Sequence, residues 1–273
     1  MLIALVIAYL AIVVSIMLAQ RRMIFFPTRL SADQAEQIAT ASGYQPWHDG
    51  TGQCIGWKIP TARPPAGTAL ILHGNSGCAL NRDYLAHPLH EALNLNVFTL
   101  EYPGYGVRNG TPSKDSLLAA AEAAFVQLDH NKPIYVVSES LGTGVATHLA
   151  KTHPDEIAGL LLFTPYDDLA AVAQTKMPLI PVYLIMRERF RPAEWLKHYH
   201  GPVQFVLAGA DEVIQPKFGQ RLYDKYDGPK ALMVLPDAAH NEIDGQPLEW
   251  WREVFKFWER HQTKPIAPPL TPE

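Results

Sequence analysis

Apolar runs of strand length alternate with longer helical patterns through most of this 273-residue chain. Most of the runs are continuously apolar, as expected for parallel strands that helices cover on both faces. The predicted strands are Cys54–Ile59, Ala69–Leu72, Val97–Leu100, Ile134–Val137, Leu160–Phe163, Val203–Leu207 and Ala231–Leu235. The predicted helices are Arg82–Ala92, Lys114–Leu128, Leu141–Lys151, Pro216–Tyr226 and Leu248–Arg260. This order indicates an α/β fold with a mostly parallel sheet flanked by helices.

The N-terminal segment from Met1 to Ala19 contains no charged side chain. As a helix it would be about 28 Å long, close to the thickness of the hydrocarbon core of a bilayer. A cleaved secretory signal is the alternative, but such signals usually have a basic n-region and small residues before the cut. This segment has no Lys or Arg, and a cut after Ala19 would place Met17 at the −3 position. The sequence therefore predicts a single-pass membrane anchor over residues 1–20.

The positive charges after this segment bear on its orientation. Arg21, Arg22 and Arg29 follow the apolar residues, and the positive-inside rule would place them, with the domain beyond, in the cytoplasm. The bias is small and the N-terminal amine also counts, so the sequence leaves the side of the membrane open.

Four regions follow from these patterns. Residues 21–46 are predicted to connect the anchor to a domain over residues 47–263, and the Pro-rich tail 264–273 is predicted to be disordered. Residues 164–201, here called the insertion, break the alternation, because they contain four prolines and no strand pattern. A segment of this kind between two core strands is either a lid over a site or a surface excursion.

Composition excludes several classes of protein. With 48% hydrophobic and 18% charged residues, the chain can bury a large core and is not disordered. The net charge of −4 without a long basic run argues against nucleic-acid binding. The two cysteines, Cys54 and Cys78, lack partners at metal-ligand spacing and are interpreted as buried apolar residues, so neither a metal nor another cofactor is predicted.

The segment from Ile134 to Gly144 predicts a nucleophile. An apolar strand ends in Ser138-Glu139-Ser140-Leu141-Gly142 and passes directly into a helix, which is the context of a G-x-S-x-G nucleophile elbow. The positions two before and two after the nucleophile must be small, because this turn packs closely on neighbouring strands. Here they are Ser138 and Gly142, so the motif departs from the usual pattern at its first position. Ser140 is the predicted nucleophile.

A general base and an acid are predicted from the order in which such residues follow an elbow serine. Asp211 comes directly after the strand that ends near Leu207, and His240 follows the last predicted strand in a loop of small residues. Because parallel strands bring their carboxyl ends to one edge of the sheet, Ser140, Asp211 and His240 should meet there. Glu212 and Asp224 are weaker rivals for the acid.

Backbone donors for an oxyanion are predicted next to these residues. Acyl transfer requires N–H groups that point at the charge that develops on the carbonyl oxygen. The N–H of Leu141 follows the nucleophile, and that of Asn75 follows His73-Gly74 in the loop after a core strand. His73 is interpreted as a residue that organises this loop and not as a base.

These motifs resemble the α/β-hydrolase superfamily. The matching stretches are His73–Gly77, Glu101–Gly106 with Gly110–Ser113, Ala208–Val213 and Ala238–Asn241. The chain looks most similar to a membrane-anchored, serine-aminopeptidase-like branch, whose members follow an N-terminal span with a stretch like Ile24–Thr28. The similarity covers about residues 22–260 and implies the fold, the triad and hydrolysis of esters, thioesters or amides. Members of the branch usually carry Gly where this chain has Ser138.

The leading functional hypothesis is therefore a membrane-tethered esterase or thioesterase that acts on a small-molecule or lipid acyl substrate. Apolar residues in the insertion, such as Leu179 and Leu184, favour a lipid-derived substrate, although they could instead pack on the core. A peptidase is the second hypothesis, with Glu139 or Asp167-Asp168 as an acidic group for a free amine, unless these are solvated surface carboxylates. The third is a membrane-anchored binding protein without activity. The sequence carries no prediction of an oligomeric state.

Overall fold

The computed structural model describes residues 1–262, so the predicted disordered tail lies outside the described residues. The strands are β1 Phe26–Pro27, β2 Gln45–His48, β3 Cys54–Ile59, β4 Gly67–Leu72, β5 Ser76–Gly77, β6 Leu95–Leu100, β7 Ile134–Glu139, β8 Ile157–Phe163, β9 Val203–Ala208 and β10 Lys230–Leu235. The helices are α1 Leu2–Ile24, α2 Ala32–Ala41, α3 Asp83–Leu93, α4 Lys114–Phe125, α5 Leu141–Thr152, α6 Leu169–Lys176, α7 Val182–Ile185, α8 Pro192–Trp195, α9 Pro216–Lys225 and α10 Leu248–His261. Short 3₁₀ helices cover Ala79–Arg82 and Leu196–His198.

Eight strands form one sheet in the order β10-β9-β8-β7-β4-β6-β3-β2. The pairs from β10 to β6 are parallel, whereas β3 pairs antiparallel with both β6 and β2. Helices cover the sheet on both faces, and a separate hydrophobic core lies on each side. The predicted α/β fold is confirmed. Every strand predicted from the sequence is present, and the predicted ends differ from the observed ones by at most three residues.

Residues 21–46 do more than connect the anchor to the domain. The helix α1 continues to Ile24, beyond the predicted boundary at residue 20, and α2 and the start of β2 follow within the same stretch. The short strand β1 pairs in parallel with β5, next to the loop that follows β4. The two cysteines are free, and only Cys78 is fully buried, so the expectation that Cys54 is buried too is wrong.

The helix α1 is long and apolar enough to cross a membrane, a property that an anchor and a signal sequence share. Most of its side chains are exposed, but Val13 and Gln20 are buried against the rest of the chain. The last turns of α1 therefore pack directly on the domain.

The insertion lies between β8 and β9 and carries α6, α7 and α8. Asp167, near the start of the insertion, binds two residues of α9. Its two carboxylate oxygens accept hydrogen bonds from Arg221 at 2.8 and 2.7 Å, and one of them also accepts a hydrogen bond from Lys225 at 3.2 Å. The side chain of Asp167 is only 6% exposed. Whether the insertion acts as a lid stays a prediction.

The pairing of Asp167 predicts a pH-dependent contribution to stability. Burial opposes its ionisation, but Arg221 and Lys225 hold its pKa below the ordinary value of 3.8. A lowered pKa in the folded state stabilises the fold above the unfolded value, and the contribution is lost as the pH falls through the folded pKa. Asp167→Asn should thus lower the free energy of unfolding by about 1–3 kcal/mol at pH 7. Urea unfolding at pH 7 and at pH 3 measures this, and the difference between the two proteins should shrink at pH 3; a constant difference would contradict the account.

Candidate active site

Ser140 lies at the turn between β7 and α5, directly after Glu139 ends the strand. Its backbone has φ +49° and ψ −122°, a conformation that costs a non-glycine residue about 1–3 kcal/mol. The Ser140 N–H donates a 2.9 Å hydrogen bond to the Phe163 carbonyl of the neighbouring strand. This strained strand-to-helix turn is the geometry of a nucleophile elbow.

The two small residues that flank the turn have different surroundings. A Cβ atom at Gly142 would lie 2.2 Å from the Leu72 carbonyl oxygen and 2.6 Å from that of His73, so no other residue fits there. Ser138 is fully buried, and its hydroxyl donates to the Leu161 carbonyl at 3.4 Å. The chain thus accommodates a serine at the position where the G-x-S-x-G motif has its first glycine, with the turn at Ser140 retained.

Because Gly142 lies so close to neighbouring backbone, any larger residue at this position should destabilise the protein. Gly142→Ala should destabilise the protein by about 1–3 kcal/mol or more, because the new methyl group meets backbone oxygens that cannot move independently of the sheet. Gly50→Ala is the matched control, since a Cβ atom there meets nothing within 4 Å. Thermal unfolding of both variants measures the effect, and equal melting temperatures would show that the elbow tolerates the extra atom.

The three residues predicted as a triad lie together at the carboxyl edge of the sheet. His240 Nε2 is 3.0 Å from Ser140 Oγ, and its Nδ1 is 2.6 Å from Asp211 Oδ2. The other carboxylate oxygen of Asp211 accepts the backbone N–H groups of Val213 and Ile214 at 2.8 Å each. These bonds fix the carboxylate in the turn after β9, so that it can orient the imidazole. The rival acid Asp224 lies instead on α9, where it accepts a hydrogen bond from Gln220.

Leu141 and Asn75, the residues predicted to donate to an oxyanion, both lie beside Ser140. Leu141 is the first residue of α5, so its N–H has no partner within the helix. Asn75 is held firmly, because its carbonyl oxygen accepts hydrogen bonds from Phe26 N–H and the Tyr105 hydroxyl at 2.8 Å each and its side chain donates to the Ile24 carbonyl at 2.8 Å. Both residues line one cavity with Ser140.

His73 is buried beneath this loop and does not face Ser140 Oγ. Its Nδ1 lies 2.8 Å from the Gly74 carbonyl oxygen, and its Nε2 lies 3.4 Å from Glu101 Oε1. The ring also packs against Tyr102 and Tyr105, with centroids 4.2 and 5.0 Å apart. These contacts suit a residue that organises the loop.

Glu139, named above as a candidate acidic group, lies beside the candidate site in a buried pairing that the sequence did not reveal. It is only 7% exposed, so the interpretation of this residue as a solvated surface carboxylate is wrong. Its Oε1 lies 2.6 Å from Arg82 Nε and accepts the Gly74 N–H at 3.0 Å, while Tyr84 donates its hydroxyl to Oε2. Burial opposes ionisation, but Arg82, Tyr84 and the Gly74 N–H hold the pKa of Glu139 below its usual value. The carboxylate thereby ties the loop of Asn75 to the strand that carries Ser140.

Ser140 lies in the wall of two cavities of different character. One, of about 290 Å³, is mainly apolar and extends between α1 and the insertion. The other, also about 290 Å³, is more polar and is lined by Arg82, Glu139, His240 and Asp244 among others. A substrate bound across Ser140 would thus meet an apolar surface on one side and a charged surface on the other.

Comparison with known proteins identifies the family. The model of the alpha/beta hydrolase family matches residues 69–204. A Mycobacterium tuberculosis protein without an assigned function is 31% identical over 239 residues, which cover 84% of each chain. The chain belongs to the alpha/beta hydrolase family. The resemblance to the aminopeptidase-like branch in particular stays a prediction.

One further relative and one structural neighbour have named activities. The lysophosphatidylserine lipase ABHD12 of Danio rerio is 26% identical over 210 residues, which cover 68% of this chain and 54% of the lipase. The esterase of Pyrococcus furiosus has a similar structure with a TM-score of 0.64, 19% identity and coverage of 87% of this chain and 97% of its own. Because the identity to the esterase is only 19%, this similarity shows a shared fold and nothing more. The protein is an alpha/beta hydrolase with an esterase among its structural neighbours.

Proposed function

We propose that this protein is a membrane-tethered serine hydrolase that cleaves an acyl ester or thioester. The observation that carries the proposal is the position of His240, whose two ring nitrogens lie 2.6 Å from Asp211 and 3.0 Å from Ser140. A serine, a histidine and a carboxylate in this geometry on an elbow activate the hydroxyl for attack on a carbonyl carbon.

The reaction follows from the positions of these atoms. His240 Nε2 takes the proton of Ser140 Oγ as the oxygen attacks the carbonyl, and Asp211 stabilises the imidazolium that forms. The N–H groups of Leu141 and Asn75 bind the oxyanion of the tetrahedral intermediate. His240 then gives its proton to the leaving alcohol or thiol, which departs and leaves an acyl group on Ser140. Water, deprotonated by His240, releases the acid by the same route.

The substrate class is inferred from the two cavities beside Ser140. The apolar cavity suits an acyl chain, since most of its lining is aliphatic, and the polar cavity suits a hydrophilic leaving group. The activity of the Danio rerio relative, a lysophosphatidylserine lipase, supports a lipid ester. The helix α1, whose residues 2–20 carry no charge, supports attachment to a membrane, where such substrates occur.

The peptidase hypothesis needs an acidic group that is free to hold an amine. Glu139 is paired with Arg82, and Asp167 is paired with Arg221 and Lys225. Asp168 caps α6 by accepting the N–H of Ala170 at 2.7 Å. Because each candidate carboxylate already has a structural partner, ester hydrolysis is favoured over aminopeptidase activity. The third hypothesis, a binding protein without activity, is disfavoured by a complete set of catalytic groups.

A direct assay separates these functions. The full-length protein in detergent micelles should release p-nitrophenol from acyl esters of two to sixteen carbons and should release little p-nitroaniline from aminoacyl anilides. Faster turnover of the anilides would support the peptidase instead. If the folded protein turns over neither substrate, the result would support the hypothesis of a binding protein without activity.

A further inference from the structure

The helix α1 contributes side chains to the apolar cavity at Ser140. Ile16, Met17, Gln20, Met23 and Ile24 form one wall of this cavity, which reaches Ser140 and Leu141. A helix that only anchors the protein need not lie next to Ser140, whereas α1 does. The end of α1 is also fixed to the loop of residues 73–77, here called the oxyanion loop, because the Asn75 side chain donates a 2.8 Å hydrogen bond to the Ile24 carbonyl.

The insertion forms the opposite wall and is fastened to α1. Val182, Ile185 and Met186 of the insertion line the cavity. Gln20 accepts the Arg187 N–H on its side-chain oxygen at 2.7 Å, and its side-chain nitrogen approaches the Ile185 carbonyl at 3.4 Å.

A charged pair reinforces this attachment. Arg21 Nε lies 2.7 Å from Glu188 Oε1, and the other oxygen of Glu188 accepts the Lys114 N–H at 2.5 Å. The Glu188 side chain is almost fully buried. Gln20 and Arg21, adjacent residues near the end of α1, thus both bind the insertion.

The contact between α1 and the insertion extends well along the helix. The Tyr9 hydroxyl donates a 2.9 Å hydrogen bond to the Leu179 carbonyl. From Tyr9 to Gln20 the helix rises about 17 Å, and only about 10 Å of α1 precedes Tyr9. The hydrocarbon core of a bilayer is about 30 Å thick. If α1 spans it, the insertion segment from Leu179 to Ile185 must lie at the depth of the lipid chains.

The exposed residues of the insertion fit such a position. Leu179 and Leu184 are 83% and 85% exposed and lie beside the exposed apolar side chains of α1, and a continuous apolar surface of this kind marks a contact with a protein or a membrane. Lipid chains supply that contact. A cavity between α1 and this segment would then open toward the hydrocarbon and not toward water.

We propose that α1 is part of the substrate site: together with the insertion it forms a membrane-embedded acyl-chain pocket, into which a long-chain lipid ester passes from the bilayer. This inference rests on the proposed hydrolase function and names its substrate as a lipid with a long acyl chain. Met17 and Ile16 determine the length of chain that fits, and Leu179 and Leu184 place the entrance in the lipid.

Neighbouring residues on one turn of α1 provide a matched test of the pocket. Met17 lines the cavity, whereas Leu18 is 73% exposed on the outer side of the helix. Met17→Trp and Leu18→Trp add similar bulk to the same apolar helix. For each full-length variant in micelles, kcat/KM is measured on p-nitrophenyl palmitate and on p-nitrophenyl butyrate. Met17→Trp should lower the palmitate-to-butyrate ratio about tenfold, mainly through KM, and Leu18→Trp should leave the ratio within about twofold.

A second pair of variants tests the entrance. Leu184→Asp places a charge at the proposed entrance, and Val126→Asp places one at another exposed site, where Val126 is 61% exposed. In phosphatidylcholine vesicles that contain a long-chain lysophospholipid, release of the fatty acid should fall about fivefold or more for Leu184→Asp and stay near wild type for Val126→Asp.

The outcomes separate the two proposals. If the wild-type protein hydrolyses no ester, the proposed function fails. If it hydrolyses esters but both tryptophan variants keep the wild-type ratio, the hydrolase stands and the pocket formed by α1 is refuted. Equal rates for the two aspartate variants in vesicles would refute entry from the bilayer.

Discussion

Replacement of Ser140 by alanine is expected to lower kcat for ester hydrolysis by at least about 10⁴-fold, because the nucleophile is lost and only binding and the oxyanion donors remain. His240→Ala should cost a similar factor, since no other base lies within hydrogen-bond distance of Ser140 Oγ among the described residues. The double variant should lose little more than either single variant, because the two residues act as one unit. Initial rates on p-nitrophenyl butyrate measure all three.

Ser138→Ala is the matched control for this series. Ser138 precedes Ser140 by two residues and is fully buried, and its hydroxyl donates to the Leu161 carbonyl, away from the triad. This variant should keep activity within a few-fold of wild type. Loss of activity in Ser138→Ala together with full activity in Ser140→Ala would show that the nucleophile has been assigned to the wrong serine.

Separation of the buried pair Arg82–Glu139 should have the largest effect on stability. Both side chains are only 9% exposed, and Arg82 Nε lies 2.6 Å from Glu139 Oε1. Arg82→Met leaves a buried carboxylate without its counter-charge, which typically costs about 3–5 kcal/mol. For a domain of this size that corresponds to a fall in melting temperature of about 10 °C. Because Glu139 also holds the Gly74 N–H, activity should fall even where the variant is folded.

A double-mutant cycle and a surface pair provide the controls. Arg82→Met combined with Glu139→Gln should recover part of the lost stability, because the unpaired charge is removed. The exposed pair Arg252–Glu249, 3.2 Å apart, should contribute less than about 1 kcal/mol when broken by Arg252→Met. If Arg82→Met were as mild as Arg252→Met, the buried pair would not hold the oxyanion loop in place.

The sequence predicted the parallel part of the sheet because its strands are continuously apolar, and it brought Ser140, Asp211 and His240 to one edge because each follows a different strand. It missed β2, since Gln45–His48 contains Pro46 and alternates at the edge of the sheet, where neither propensity nor hydrophobicity marks a strand. The short pairing of β1 with β5 has no periodicity at all.

The surroundings of the site were harder to predict for a different reason. Glu139 is the last residue of β7, where a carboxylate could equally face water, and its partner Arg82 lies far away in the chain. Similarly, the charge-free residues 2–20 of α1 identify an apolar helix but not the surface against which its last turns pack. Contacts between residues distant in sequence depend on the tertiary arrangement, which no local pattern encodes.

The most direct test of the central proposal is covalent labelling of the full-length protein in detergent with a fluorescent fluorophosphonate, followed by mass spectrometry of the labelled peptide. We expect one phosphonylated residue, Ser140, with labelling absent in Ser140→Ala, strongly reduced in His240→Ala and retained in Ser138→Ala. Labelling at another residue, or none in protein that shows a cooperative unfolding transition, would contradict an activated serine at this site.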